Sequence, residues 1–477
     1  SVPTEKLIAW REKAQGLVTA GAISELPGQV AGLVGFPALD AGAFPTEAGA
    51  GIFVAGLRPA VTPDANEFGI DANKNARIDG FTILGSNNGG GIVVNGYAQD
   101  MLIGNNRITG NSGIYGGGIR VGHPTLSHTI ADANDPQYDP AANGGAGNIG
   151  DIVYDDATND RVRMHHNQII KNGGLGGAGG GIALHTGADD YKVQNNWICG
   201  NFTQGEGGGI GHLGLSDNGL IEDNVIAFNE LFSQGGPVDG GGIFIGGLPD
   251  LVPDNITDPP LLLSPGSGTV TINANLLRGN MAGAGDGGGI SLRRVNGEDV
   301  WQNLGDTAPW HAIHIYNNGI NNNVAALAGG GITILDALKV DIRNNTVANN
   351  DSIATAALAF AAGSPNESTP QPAGIVSRVH TPDLAFVMAA EVTAPVPVDW
   401  LSFSDPDLQN DIVYNNRSFY WLNFDNPATA VTEADVFPAS CADPVGNPGA
   451  PGCDLGNVPL FSDDLAVLDG IVVSANL

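Results

Sequence analysis

"NNWICGNFTQGEGGGI", residues 195–210, places eight Gly and Asn in sixteen residues, yet sets Ile198 and Ile210 among them. Few helices or strands tolerate that composition, so the question is what geometry wants an apolar residue framed by asparagines and then three glycines. The stretch recurs. N-x-I-x-x-N is found at Asn106/Ile108/Asn111, Asn167/Ile169/Asn172, Asn196/Ile198/Asn201, Asn224/Ile226/Asn229, Asn275/Leu277/Asn280, Asn318/Ile320/Asn323, Asn345/Val347/Asn350 and Asn410/Ile412/Asn415. GGGI or its equivalent ends at Ile92, Ile119, Ile182, Ile210, Ile243, Ile290 and Ile332, with a degenerate copy ending at Ile375. Self-similarity at a fixed period marks a solenoid.

The shortest repeat intervals are 29 residues (167 to 196), 28 (196 to 224) and 27 (318 to 345). At ~3.3 Å per residue this is about 90 Å of extended chain, one turn of a three-sided coil of short strands. "GIALH" and "KVQNNWI" alternate with the period of strands. In a parallel β-helix each Ile stacks on its equivalent ~4.8 Å away, and asparagine amides can bond along the stack. Asn and Gly also tolerate the left-handed backbone that tight corners need.

The paired motifs resemble the right-handed parallel β-helix repeats of bacterial secreted and surface proteins. They are similar to the polymorphic outer-membrane repeats of chlamydiae, whose motifs are GGA[ILV] and FxxN. The stretch 165–216 also resembles a β-helix region of very large extracellular proteins, some carrying multicopper-oxidase-like domains. The resemblance implies an all-β, right-handed, three-sided parallel β-helix at an extracellular or cell-surface location.

Around the repeat, residues 1–24 are expected to hold an amphipathic helix, with Leu7, Ile8, Trp10, Ala14, Leu17 and Val18 on one face. It either caps the solenoid's open edge or links to an upstream domain. The β-helix is assigned to 25–425 and an irregular tail to 426–477. Excursions are expected at 121–160, 248–265, 293–312, 351–370 and 376–405. Four of the five leave between GGGI and the next asparagine motif, so they share one edge of the coil, and such an edge often binds.

Composition narrows the function. Fifty acidic against nineteen basic residues give a net charge of −31, which argues against nucleic acid and anionic membranes. It also argues against a polyanionic substrate such as pectate unless divalent cations bridge. No stretch reaches the ~18 apolar residues of a membrane span. Of three cysteines, Cys441 and Cys453 flank a loop and are either a disulfide or two free thiols; Cys199 stands alone. Ser1 reads as the start of a mature chain or of a domain of a larger polypeptide.

Motifs that could carry chemistry are few. "DANKNARID" (71–79) sets Asp71, Asn73, Asn75 and Asp79 at positions 1, 3, 5 and 9 of a calcium loop, with an Asx-rich turn as the alternative. Ala76 stands where such loops carry Gly, and Thr82 where they carry Glu. "TGADD" (186–190) with "GHLG" (211–214) is similar to signatures of polygalacturonase-type β-helix hydrolases, but the companion motifs are missing. Arg293 and Arg294 are expected to pair with Glu298 and Asp299. "HAIH" (His311, His314) is not the His-x-His of cupredoxins, and "MHH" (164–166) is expected to sit in a strand.

The expected function is therefore a non-catalytic scaffold or recognition module for a surface glycan or protein partner, with Ca²⁺ as the one candidate cofactor. The competing readings are a polysaccharide lyase or glycoside hydrolase, and a structural domain of a larger multicopper-oxidase-like surface protein. An enzyme would need two or three carboxylates with Arg, Lys or His on one sheet within ~10 Å. Candidate ligand-binding residues are Trp301, Trp310 and Trp400, with His123 and His128 in the acidic excursion 121–160. Aromatic faces stack on sugars; the alternative is that the indoles anchor long loops.

Overall fold

In the computed structural model, residues 12–14, 16–24, 49–57, 76–123, 127–129, 152–154, 157–233, 236–248, 261–426, 431–438 and 465–468 are described. They form a parallel β solenoid of four stacked sheets, not the three expected. One coil shows why. Ile182–His185 follows the glycines, Lys192–Gln194 approaches the first asparagine, Trp197–Cys199 lies between the two, and Phe202–Thr203 leaves the second. The next coil begins with Ile210–Leu213, in register on Ile182–His185. Each asparagine marks a corner, as does the glycine run, and the turn at 186–190 between the glycine and approach strands adds the fourth. We call the sheets, in chain order, the glycine, approach, asparagine and exit sheets. Among the described residues they hold ten, nine, nine and nine strands.

The apolar columns run unbroken. Ile108, Ile169, Ile198, Ile226, Leu277, Ile320 and Val347 are each fully buried and stand in register. Parallel columns of Ile from the glycine sheet and of Val, Ile and Met from the approach sheet complete one core.

Two ladders of side-chain amides flank the asparagine column. From Asn106 to Asn345, each Nδ2 donates to the Oδ1 of the next coil's asparagine at 3.0–3.1 Å. The second ladder runs in the same way from Asn111 to Asn416, at 2.8–3.0 Å. The asparagines themselves are not the left-handed residues. That role falls to the residue before each, such as Asn105, Asn195, Asp223, Asn317 and Asn344, with φ of 55–59°. In the runs from Gly116 onward only the first glycine has positive φ, as at Gly207 (φ 70°). The third is small because space demands it: a Cβ on Gly209 would lie 2.6 Å from the Gly242 carbonyl oxygen and 2.9 Å from Ile226.

The last motif is corrected by one residue. Val347 pairs with Val413, not Ile412, and Asp411 accepts the amide of Asn345 at 2.9 Å. The equivalent triad is thus Asp411/Val413/Asn416, and Ile412 is 60 % exposed. A slip of one residue exchanges the faces of a strand, and the burial of the column selects Asp over Asn.

At the N-terminal end, residues 12–14 and 16–19 are helical and Ala14 is buried. Cys441 and Cys453 lie outside the described residues. No helix among the described residues is long and apolar enough to cross a membrane.

Candidate functional cleft

Toward its C-terminal end the approach sheet turns alternate residues outward. Register stacks His314, Asp341 and Asp407 in one outer column, and Tyr316, Arg343 and Gln409 in the next. Alternation puts Ile313, Ile315, Val340 and Ile342 into the interior, which holds these polar side chains on a rigid floor. The Tyr316 hydroxyl lies 2.9 Å from His314 Nδ1 and 3.1 Å from Asp341 Oδ2, while His314 Nδ1 is 3.2 Å from the same oxygen. Arg343 Nη2 donates to both Asp341 (3.1 Å) and Asp407 (2.9 Å). Burial, with the hydrogen bond to Asp341, raises the pKa of Tyr316.

The wall comes from the excursions. Leu261 and Leu263, Val300 and Trp310, and Leu384, Val387 and Met388 come from three different excursions. They bury one another, with Leu338, in a second apolar core outside the solenoid. Trp310 is 2 % exposed and donates from Nε1 to the Asn303 carbonyl. Its ring lies 6.5 Å from that of Trp400. Trp301 and Trp400 are half-buried at the margin of the same cluster. Lys339 pins this assembly to the sheet by donating to the carbonyls of Thr307, Ala308 and Trp310 at 3.0–3.4 Å.

Between floor and wall lies a cleft of about 410 Å³ lined by His314, Lys339, Asp341 and Asp407 below and by Pro397, Trp400 and Asp405 beside. Burial, reinforced by Asp399, pushes the Asp405 carboxyl above the usual carboxylate range. The cleft therefore offers an aromatic wall, hydrogen-bonding carboxylates, an imidazole and one cation, Lys339, with Arg343 bonded to the two floor carboxylates beside it. It meets the sequence criterion for catalytic machinery in composition: carboxylates, Arg, Lys and His converge on one sheet.

Of the residues singled out from sequence, Trp310 and Trp400 come together, with Trp301 in the same cluster. His123 does not join them. It is buried against Tyr115, its pKa lowered by desolvation and then by Arg120 and His185. His128 lies in Ser127–Thr129, antiparallel to Ile152–Tyr154, and its side chain is not described. Asp71, Asn73 and Asn75 fall outside the described residues. Asp79 ends the first approach strand and accepts from Asn105 Nδ2 at 3.0 Å. Among the described residues no three His, Cys, Asp or Glu side chains gather as metal ligands.

The hydrolase-like pair separates. Asp189 stacks in a turn, accepting from the Asp217 amide. His212 points into the core, held by Tyr191 and the carbonyls of Gly214 and Ser267, and burial lowers its pKa to about 4. Arg293 is also corrected. It pairs with Asp239 at 2.9 Å and approaches Glu206 at 3.9 Å, whereas Asp299 accepts from the amides of Gly297 and His311. Carboxylates of preceding coils are nearer than neighbours in sequence. Glu206, Asp239 and Asp286 form a ladder of their own, with Arg378 on Asp286 at 2.8 Å. Desolvation, then Asp239, raises Glu206 to about 8.

Sequence reading missed Tyr316, Lys339, Asp341, Arg343 and Asp407, yet the signal existed: His314, Asp341 and Asp407 each precede a ladder residue by four. No protein-family model, no curated protein and no solved structure matches the chain.

Proposed function

We propose that this chain is a recognition module of the extracellular or cell-surface kind, binding an uncharged or cationic glycan in the cleft beneath Trp400. The carrying observation is the half-buried Trp400 standing beside a floor of His314, Asp341 and Asp407. Indole faces stack on sugar rings while carboxylates accept from hydroxyls. Acidic residues outnumber basic ones both in the cleft lining and in the chain, which disfavours polyanionic sugars. We infer that the coil is right-handed, because parallel crossovers are right-handed in ~98 % of cases.

Binding to a panel of neutral, amino and acidic oligosaccharides tests this. Asp407→Asn and Asp341→Asn should abolish binding of the neutral or amino ligands with little change in melting temperature. Binding confined to uronate chains, or unaffected by both changes, would sink the proposal.

A second reading, a glycoside hydrolase, draws on the raised pKa of Asp405 in the same cleft as Asp341 and Asp407. Of the three carboxyls, the one with the raised pKa is the better suited to protonate a leaving oxygen while another carboxylate assists. Release of reducing ends, lost in Asp405→Asn, distinguishes it from binding alone.

A further inference from the structure

We propose that His165 and His166 form a chelating site for a divalent transition-metal ion of the copper, nickel and zinc group. Their Nδ1 atoms lie 3.1 Å apart, with ring planes inclined at 82°. Imidazole nitrogens bind such ions at ~2.0–2.1 Å, so two of them set at right angles to tetrahedral about one ion lie roughly 2.8–3.4 Å apart.

The surroundings leave room for this pair. His165 ends the approach strand Arg163–His165, outward-facing, with Gly104 below it in register and Gln194 above. Gly104 is what lets the ring lie where it does: a Cβ there would come 2.6 Å from His165 Cε1. His166 occupies the left-handed corner (φ 53°) that Asn105 and Asn195 occupy in the adjacent coils. That corner brings its ring back against its neighbour's. His165 is half-buried and His166 exposed, so an ion can enter and its remaining positions stay open to water or to a donor atom of a bound molecule. The net charge of −31 raises the local concentration of cations.

The test is titration with Cu²⁺ alone, read by electron paramagnetic resonance for nitrogen coupling, and with Zn²⁺ alone by calorimetry. His165→Gln and His166→Asn copy the residues the next coil carries at the same positions, so both variants should melt like the parent. The parent should bind one ion at this site, and each single change should weaken binding at least about tenfold. The double variant should lose the two-nitrogen signal. No binding by the parent, unchanged affinity in either single variant, or a two-nitrogen spectrum in the double variant overturns the proposal.

Discussion

The asparagine sheet and the excursion cluster are both well packed, but they are held in opposite ways. At Asn224 every polar atom of the amide is used. Nδ2 donates to Val193, Glu222 and Asn275, and Oδ1 accepts from the backbone and side chain of Asn196. The arrangement then repeats coil after coil. Around Trp310, by contrast, each contact is made once, between segments distant in sequence. The first region takes its stability from repetition, as a solenoid does. The second depends on a few large side chains, and on it rests the wall of the cleft.

The comparison can be broken most severely at Gly209. Gly209→Ala drives a methyl into the Gly242 carbonyl and the Asn229 amide, 2.6 and 3.0 Å away. Backbone cannot yield there, so the variant should fail to yield a cooperatively melting protein; a normal melting curve would mean that the coils can slide apart without cost. Asn224→Leu should come next. It orphans several buried groups on three coils, each worth about 1–3 kcal/mol, and should lower the melting temperature of the whole solenoid.

Trp310→Ala sharpens the contrast. Removing a buried Trp costs about 3–5 kcal/mol, but here the loss should fall locally. Hydrogen exchange should rise in 293–312 and 376–405 while the amides of the asparagine sheet stay protected. Equal loss of protection in both regions would show them to be one cooperative unit.

The smallest effect concerns pH. Glu206 has its folded pKa raised to about 8, chiefly by desolvation and then by Asp239. Between its ordinary value and that pH the folded state binds more protons than the unfolded one. Stability should therefore fall as pH rises through this window. Glu206→Gln should flatten that slope, seen by denaturant melts at pH 5 and pH 8. A slope unchanged by the substitution would assign it to other groups.

Register explains where sequence reading succeeded and where it stopped. The isoleucine column and the glycine runs were legible because identical side chains at a fixed interval must stack if the core is to be continuous. The last coil was misread by one residue, because Asn410 fits the motif as letters while Asp411 fits the ladder as chemistry: the final amide needs an acceptor, and a carboxylate serves. That slip hid Asp407 from the column of His314 and Asp341. Arg293 was paired with its sequence neighbours, although a solenoid places the coils before and after closer than residues five positions away.

The sequence by itself determined that this is a parallel β solenoid and, in every coil but the last, which residues of the asparagine motif face its core. These follow from period and burial, which are local and repeated. Only the tertiary structure decided that there are four sheets, that three excursions share one apolar core, and that Trp400 faces a floor of His314, Asp341 and Asp407. Those features come from contacts made once, between coils and loops far apart in the chain, and a single occurrence leaves no period to read.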